Sequence, residues 1–398
     1  MNEQLVVKNF GPIKDATVDF KRVTVFIGPT GGGKSTLAKL AAVFGDKKVR
    51  FAQTNKIAWE TSNQLIKRFE LESFFTNKSS LSFMKPGGYH VRISKDKATL
   101  MEKSKLPPKM PFEALVKFNE PLIPKTEPDR SSWIKSLENY YNNTDSFGRF
   151  SDSNPLYIPA ERAFIAAIQG AYAGLQMNKI ALSDTLMTFI TEFELSKKFI
   201  KELFIPLFQV NYQQREGIDS IKMKNGKSLK LSASASGIQA VLPLFVVLQY
   251  QANPMGREQV AARSFLVEEP ELNLYPTAQQ ELLNWLVEKC TKSENDLTIT
   301  THSPYLLAHL NVLLFAHQVA ENHPERAEEV ARIVPRESWI DPKEFAAYHV
   351  EGQQENGVRS IVNPETGLIS YNGLDALATA EAAQFEKLLD INAGLEVE

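Results

Sequence analysis

Apolar and polar positions along the chain repeat with two different periods, and the switches between them mark out its elements. Residues 5–10 and 16–20 alternate around a Gly11-Pro12 turn, which predicts a β-hairpin leading into the β-branched run Val23-Thr24-Val25-Phe26-Ile27. Behind that run, residues 36–44 have the apolar spacing of a helix, as do residues 58–75. Residues 89–93 and 98–101 read as a second hairpin, and residues 155–162 as a short apolar strand ending in a polar turn. Helical spacing returns over 163–175 and 182–208, where Phe199, Phe204 and Phe208 fall on one face and are expected in the core. Residues 210–231 alternate again, with Gly217 and Asn225-Gly226 as turns. A strongly apolar helix over 240–250 and apolar strands at 264–267 and 297–301 follow. Helices over 304–320 and 324–334, short strands near 346–350, 358–362 and 367–370, and an amphipathic helix over 376–389 complete the α/β pattern.

Between the strand at 23–27 and the helix behind it lies Gly28-Pro29-Thr30-Gly31-Gly32-Gly33-Lys34-Ser35-Thr36, which meets the pattern G-x-x-x-x-G-K-[ST] at every fixed position. Glycines let successive backbone N–H groups turn inward around an anion, and the helix N-terminus adds its partial positive charge. Lys34 is then expected on the β- and γ-phosphates of a purine nucleotide, and the Ser35 hydroxyl on Mg2+. Phe10 or Lys14 of the hairpin either lies near the adenine or, for Phe10, is ordinary core.

Three later stretches extend this chemistry. Ser232 to Gln239 is a run of small residues ahead of the apolar helix, placing hydroxyls and free N–H groups at a positive helix end; alone it reads equally as a cap. Ser264-Phe265-Leu266-Val267-Glu268-Glu269 is an apolar strand delivering two carboxylates at its C-terminal end, one suited to a metal and the next to orienting an attacking water. Leu297-Thr298-Ile299-Thr300-Thr301 ends in His302, placed to sense a γ-phosphate.

Composition adds two constraints. The formal net charge of −2 hides an excess of seven positive charges over residues 46–150. The densest cluster there, Arg92, Lys95, Lys97, Lys103, Lys105 and Lys109, suits a phosphate backbone or an acidic partner and equally a solvated face. The single Cys290 excludes an intramolecular disulfide, and with no apolar run of membrane length this points to a cytoplasmic chain. His309, His317, His323 and His349 lack metal-site spacing and read as structural or solvated.

Taken together and in this order, the four stretches resemble the ATP-binding-cassette (ABC) ATPase head of the SMC-like and overcoming-lysogenisation-defect (OLD) families. The resemblance spans residues 5–44 and 157–314. It implies an ABC-type P-loop ATPase head, with a mixed sheet, an N-terminal antiparallel β-subdomain, a helical subdomain and a large basic insertion. The expected divisions are 1–45, an insertion over 46–154, a second lobe over 155–320 and an α/β extension over 321–398. Gly28, Thr30, Gly31, Gly32, Gly33, Lys34, Ser35 and Thr36 match the Walker A loop, and Ser236 and Gly237 the signature motif. Glu268 matches the Walker B acid holding Mg2+ with Ser35, Glu269 the catalytic glutamate, and His302 the switch histidine. Thr30, Ile238 and Glu268 depart from the commonest residues at their positions, and no Q-loop glutamine is evident. The implied mechanism is a homodimer, or a larger homo-oligomer, sandwiching two ATP molecules.

With no long heptad arm and no D-x-D nuclease cluster, the chain is similar to stand-alone ATPase components of anti-phage defence systems of Septu-like or retron-associated type. In those the effector, a nuclease or toxin, is a separate protein. The alternative is an SMC-like repair or recombination ATPase contacting DNA through the basic insertion. No membrane partner is expected.

Overall fold

The computed structural model describes residues 3–85, 89–102, 113, 130–132, 134–135, 138, 154–168, 182–252, 263–354 and 357–370. Strands β1 (Glu3–Phe10) and β2 (Ile13–Phe20) form the expected hairpin, followed by β3 (Val23–Ile27). Helix α1 (Lys34–Gly45) and helix α2 (Asn55–Arg68) precede the antiparallel strands β4 (Phe75–Lys85), β5 (Tyr89–Ser94) and β6 (Lys97–Glu102). These last pair back onto β1 in a five-stranded sheet of order β2-β1-β4-β5-β6. Arg92, Lys95 and Lys97 are exposed on it, whereas Lys103, Lys105 and Lys109 lie outside the described residues.

The central sheet has six strands. They are β7 (Leu156–Ile158), β12 (Ser264–Glu268), β13 (Asp296–Thr301), β3, β14 (Phe345–Val350) and the antiparallel edge strand β15 (Val358–Ser360). All neighbours except β14 and β15 run parallel. Parallel strands covered on both faces need unbroken apolar runs, and β3, β7 and β14 are buried at every residue. Alternate side chains feed two cores. Val23, Val25, Ile299 and Val267 point into one, and Phe26, Leu266 and Tyr348 into the other. The second core is shared by α1 and the five-stranded sheet, with Phe44 stacked on Phe83 at 5.3 Å. Phe10 belongs to it, packed edge-on against Phe74 and Phe75, so the core reading of Phe10 holds.

Helix α3 (Asp184–Phe199), helix α4 (Ser236–Ala252), helix α5 (Pro276–Cys290) and helix α6 (Pro304–Asn322) cover the first core. The helix expected over 182–208 stops at Phe199, and the chain turns into an antiparallel sheet of order β11-β10-β9-β8. Its strands are β8 (Glu202–Ile205), β9 (Val210–Arg215), β10 (Ile218–Lys222) and β11 (Ser228–Lys230). Pro206 explains part of the difference, because it lacks the N–H an interior helical residue must donate and pushes Ile205 into extended geometry. Phe199 and Phe204 are consequently half exposed rather than core, and only Phe208 packs against the core. The helices expected over 163–175 and 376–389 lie partly and wholly outside the described residues.

Candidate functional site

Parallel neighbours bring the motif-bearing loops together at one edge of the sheet, because β3, β13 and β12 lie side by side and all end there. The loop after β3 turns through left-handed conformations at Gly31 (φ 78°) and Gly33 (φ 105°). Gly33 is the N-cap of α1 with no side-chain cap, which leaves the first N–H groups of the helix to the loop. The segment following β14 backs this loop. Gly352 N donates to Gly32 O at 2.9 Å, and a Cβ on Gly32 would come within 2.3 Å of Val350 O, so only glycine fits. Thr30, Gly31 and Ser35 are exposed, and Thr36 is buried.

Lys34 Nζ donates to Gly28 O at 2.7 Å and Pro29 O at 2.9 Å and lies 3.4 Å from His302 Nδ1. Burial holds its ammonium down to about 8, against the opposing pull of Glu269, Glu271 and Glu268. His302 Nε2 is 3.3 Å from Glu269 Oε1, so lysine, histidine and glutamate form a line across the ends of three adjacent strands. Glu269 sits at φ 41° in the left-handed region while its N–H donates to Thr300 O at 2.8 Å, a strained turn that the neighbouring strand holds in place.

Glu268 is nearly buried. Its Oε2 accepts from Ala160 N at 3.4 Å, and its Oε1 has no partner among the described residues. The buried Tyr157 hydroxyl lies beside this carboxyl, and a buried carboxyl oxygen without a well-formed hydrogen bond is suited to a cation such as Mg2+, which takes hard oxygen ligands. No group of three His, Cys, Asp or Glu arranged for a metal occurs among the described residues, so such an ion would draw its other ligands from Ser35 and the nucleotide.

Two contributors escaped the sequence reading, and a third was read there only as a structural or solvated histidine. Glu271 Oε1 accepts from Thr301 Oγ1 at 2.6 Å and from His302 N at 2.7 Å, fixing the backbone that carries His302. Arg162 is fully buried, and its guanidinium donates to four carbonyls. These are Pro159 O at 3.0 Å, Ala240 O at 3.1 Å, Glu268 O at 2.6 Å and Glu269 O at 2.8 Å. Burial lowers it to about 10, and the nearby glutamates resist that shift. The sequence signal was one arginine amid the apolar stretch after β7. His349, paired in register with Ile27, is the third: buried, it is pushed down in pKa first by desolvation and then by Arg359, with Lys34 a smaller contributor.

Ser236 is exposed at the start of α4, and Gly237 is buried with no room for a Cβ, which would stand 2.8 Å from Asn273 O. Among the described residues no hydrogen bond joins Ser236 or Gly237 to the Gly-rich loop of the same chain.

A family model described as "AAA domain, putative AbiEii toxin, Type IV TA system" matches residues 23–308. None of the curated proteins matches the chain. Among solved structures, the SMC head domain from Thermotoga maritima is 14% identical, covering 78% of this chain and 92% of that one with a TM-score of 0.36. An SMC head bound to the C-winged helix domain of ScpA is 13% identical over 77% and 91%, also at 0.36.

Proposed function

Because the chain belongs to the AAA-domain family described as putative AbiEii toxin, Type IV TA system, we propose that it is an ATPase whose ATP-bound dimer controls a separate effector. The observation that carries this reading is the Lys34, His302 and Glu269 line at the carboxyl ends of three adjacent parallel strands. ATP binding would turn Lys34 from the carbonyls of Gly28 and Pro29 onto the β- and γ-phosphates, with the N–H groups of residues 31–36 completing the cradle. Ser35 and Glu268 would hold Mg2+, which when bound offsets the charge of the phosphates. Glu269 would take a proton from the water that attacks the γ-phosphorus as its bond to the ADP oxygen breaks, and His302 would contact the γ-phosphate. Ser236 and Gly237 would complete the site of a second copy, since among the described residues no hydrogen bond joins them to their own loop.

The effector would be a nuclease or toxin in an anti-phage defence pair, in the cytoplasm. The family description attaches its toxin wording to the AAA-domain protein itself, so the separateness of the effector rests on the resemblance to the defence ATPases alone. Among the described residues no helix is long and apolar enough to cross a membrane. A repair or recombination ATPase acting directly on DNA has the exposed Arg92, Lys95 and Lys97 in its favour, and DNA-stimulated turnover would distinguish it. The leading reading is tested by light scattering with and without ATP, followed by capture of the tagged native chain. Dimerisation on ATP together with a co-purifying nuclease or toxin is expected. A chain that stays monomeric with ATP bound would sink the sandwich.

The lowered Lys34 pKa sets a sign for pH. Above about 8 the free lysine is neutral, so a polyphosphate that needs the ammonium must bring a proton with it. ATP binding is therefore expected to take up close to one proton at about pH 9 and almost none at about pH 6.5, with affinity falling roughly tenfold per unit above the lysine's pKa. Calorimetry in buffers of different ionisation enthalpy reads this directly, and an enthalpy independent of buffer at the higher pH would contradict it.

A further inference from the structure

The sheet β11-β10-β9-β8 has two unlike faces. Leu203, Ile205, Val210, Tyr212 and Ile221 turn inward. Asp219 joins them, buried, accepting from Tyr212 OH at 2.6 Å and Lys197 Nζ at 2.9 Å, which clamps the sheet onto α3. The register fixes what lies on the other face. Phe204, Asn211 and Lys222 form one cross-strand row, and Gln213, Ser220 and Lys230 form the next. Phe204 is 48% exposed, and Asn211, Lys222 and Lys230 are exposed as well. The β10–β11 hairpin, Lys222 to Lys230, is exposed throughout and carries four lysines without an acid, none of them in an ion pair among the described residues. The acid on this face, Glu202, lies 3.5 Å from Arg215.

We propose that this face binds single-stranded nucleic acid, with a base stacked on Phe204 and the phosphates on Lys222 and Lys230. An acidic peptide would use the lysines alone. The exposed ring offers a π-face that any base can stack on, and the exposed Asn211 amide offers a donor and an acceptor to base edges, whereas the Gln213 amide already donates to Glu202 Oε1 at 3.3 Å. A duplex keeps its bases stacked inside and cannot present one to a ring on a sheet, so a single strand is the occupant. The site lies apart from the basic cluster on β5–β6. From Lys230 the chain runs through the buried Leu231 straight into α4 at Ser236, so the bound strand would sit beside the helix that carries the signature residues.

The test uses the full chain without nucleotide, so its result is independent of the ATPase reading. Fluorescence anisotropy follows labelled RNA and DNA single strands of about 12 nucleotides. Phe204→Ala is expected to weaken binding roughly tenfold. The double variant K222Q/K230Q is expected to flatten the salt dependence by about 1.4 in log–log slope, near 0.7 for each lost phosphate contact. A preference for RNA or for DNA identifies the source of the strand and supports the site either way. Unchanged thermal midpoints in both variants report an intact fold, which their exposed positions favour. The proposal is overturned if the parent chain binds neither strand, if both variants bind as the parent does, or if a duplex or polyglutamate competes as well as the single strand.

Discussion

Glu269→Gln is expected to lower ATP turnover by about two to four orders of magnitude while leaving ATP bound, because the amide keeps the side chain's shape but cannot accept a proton from water. The substitution should also trap the ATP-bound dimer, so that light scattering sees a stable species of doubled mass where the parent chain cycles. The geometry gives this a further signature. Glu269 Oε1 lies 3.3 Å from His302 Nε2, and His302 Nδ1 lies 3.4 Å from Lys34 Nζ, so the substitution removes the carboxylate at the far end of the line from the lysine. Glu269 is the strongest of the charges holding the Lys34 pKa up against burial, and its neutralisation should therefore lower that pKa further. Proton uptake on ATP binding would then begin at a lower pH in the variant than in the parent. Turnover within threefold of the parent would remove Glu269 from its proposed role.

Arg162→Ala is expected to cost on the order of 3 kcal/mol of stability or more, read as a lower urea midpoint at unchanged slope. Its guanidinium satisfies carbonyls from three separate segments, after β7, in the first turns of α4 and at the end of β12. Removing it takes a donor from each of these buried oxygens and leaves Pro159 O with only the backbone N–H of residue 162, and an oxygen left without a donor costs more than the net worth of the bond itself. Arg162→Lys should fall between, since one ammonium has three N–H groups and no planar fork to span four acceptors. Because two of the acceptors are the carbonyls of Glu268 and Glu269, turnover should drop in both variants even where the fold survives. A destabilisation below about 1 kcal/mol for the alanine variant would mean that water replaces the guanidinium without penalty.

Much of the fold could be read from local pattern. The hairpin before β3, the Gly-rich loop, the strands ending in Glu268-Glu269 and His302, and the Asn225-Gly226 turn all lie where alternation, apolar runs and turn residues put them. Each of those signals is contained within one strand, turn or hairpin. The reading failed where a periodic pattern had two interpretations: Phe199, Phe204 and Phe208 carry helical spacing, yet Phe204 stands on a strand with its ring in solvent. What pairs with what was not legible either. Residues 345–350 read only as a short strand, and their place beside β3, with Val350 and Gly352 closing against the Gly-rich loop, rests on contacts more than three hundred residues apart.

The sequence by itself determined the chemistry on offer: a phosphate-cradling loop with its lysine, two carboxylates at the end of an apolar strand, and a histidine at the end of another. It did so because each such group depends on backbone conformation and residue type within a single turn or strand. Only the tertiary structure decided that the three strands are neighbours, so that Lys34, His302 and Glu269 meet in one line. It also decided that Glu271 and Arg162 hold the backbone beneath that line, and that the sheet ahead of α4 turns its lysines and Phe204 outward. Strand order and register are set by burying two cores at once, a condition on the whole chain that no local window of residues contains.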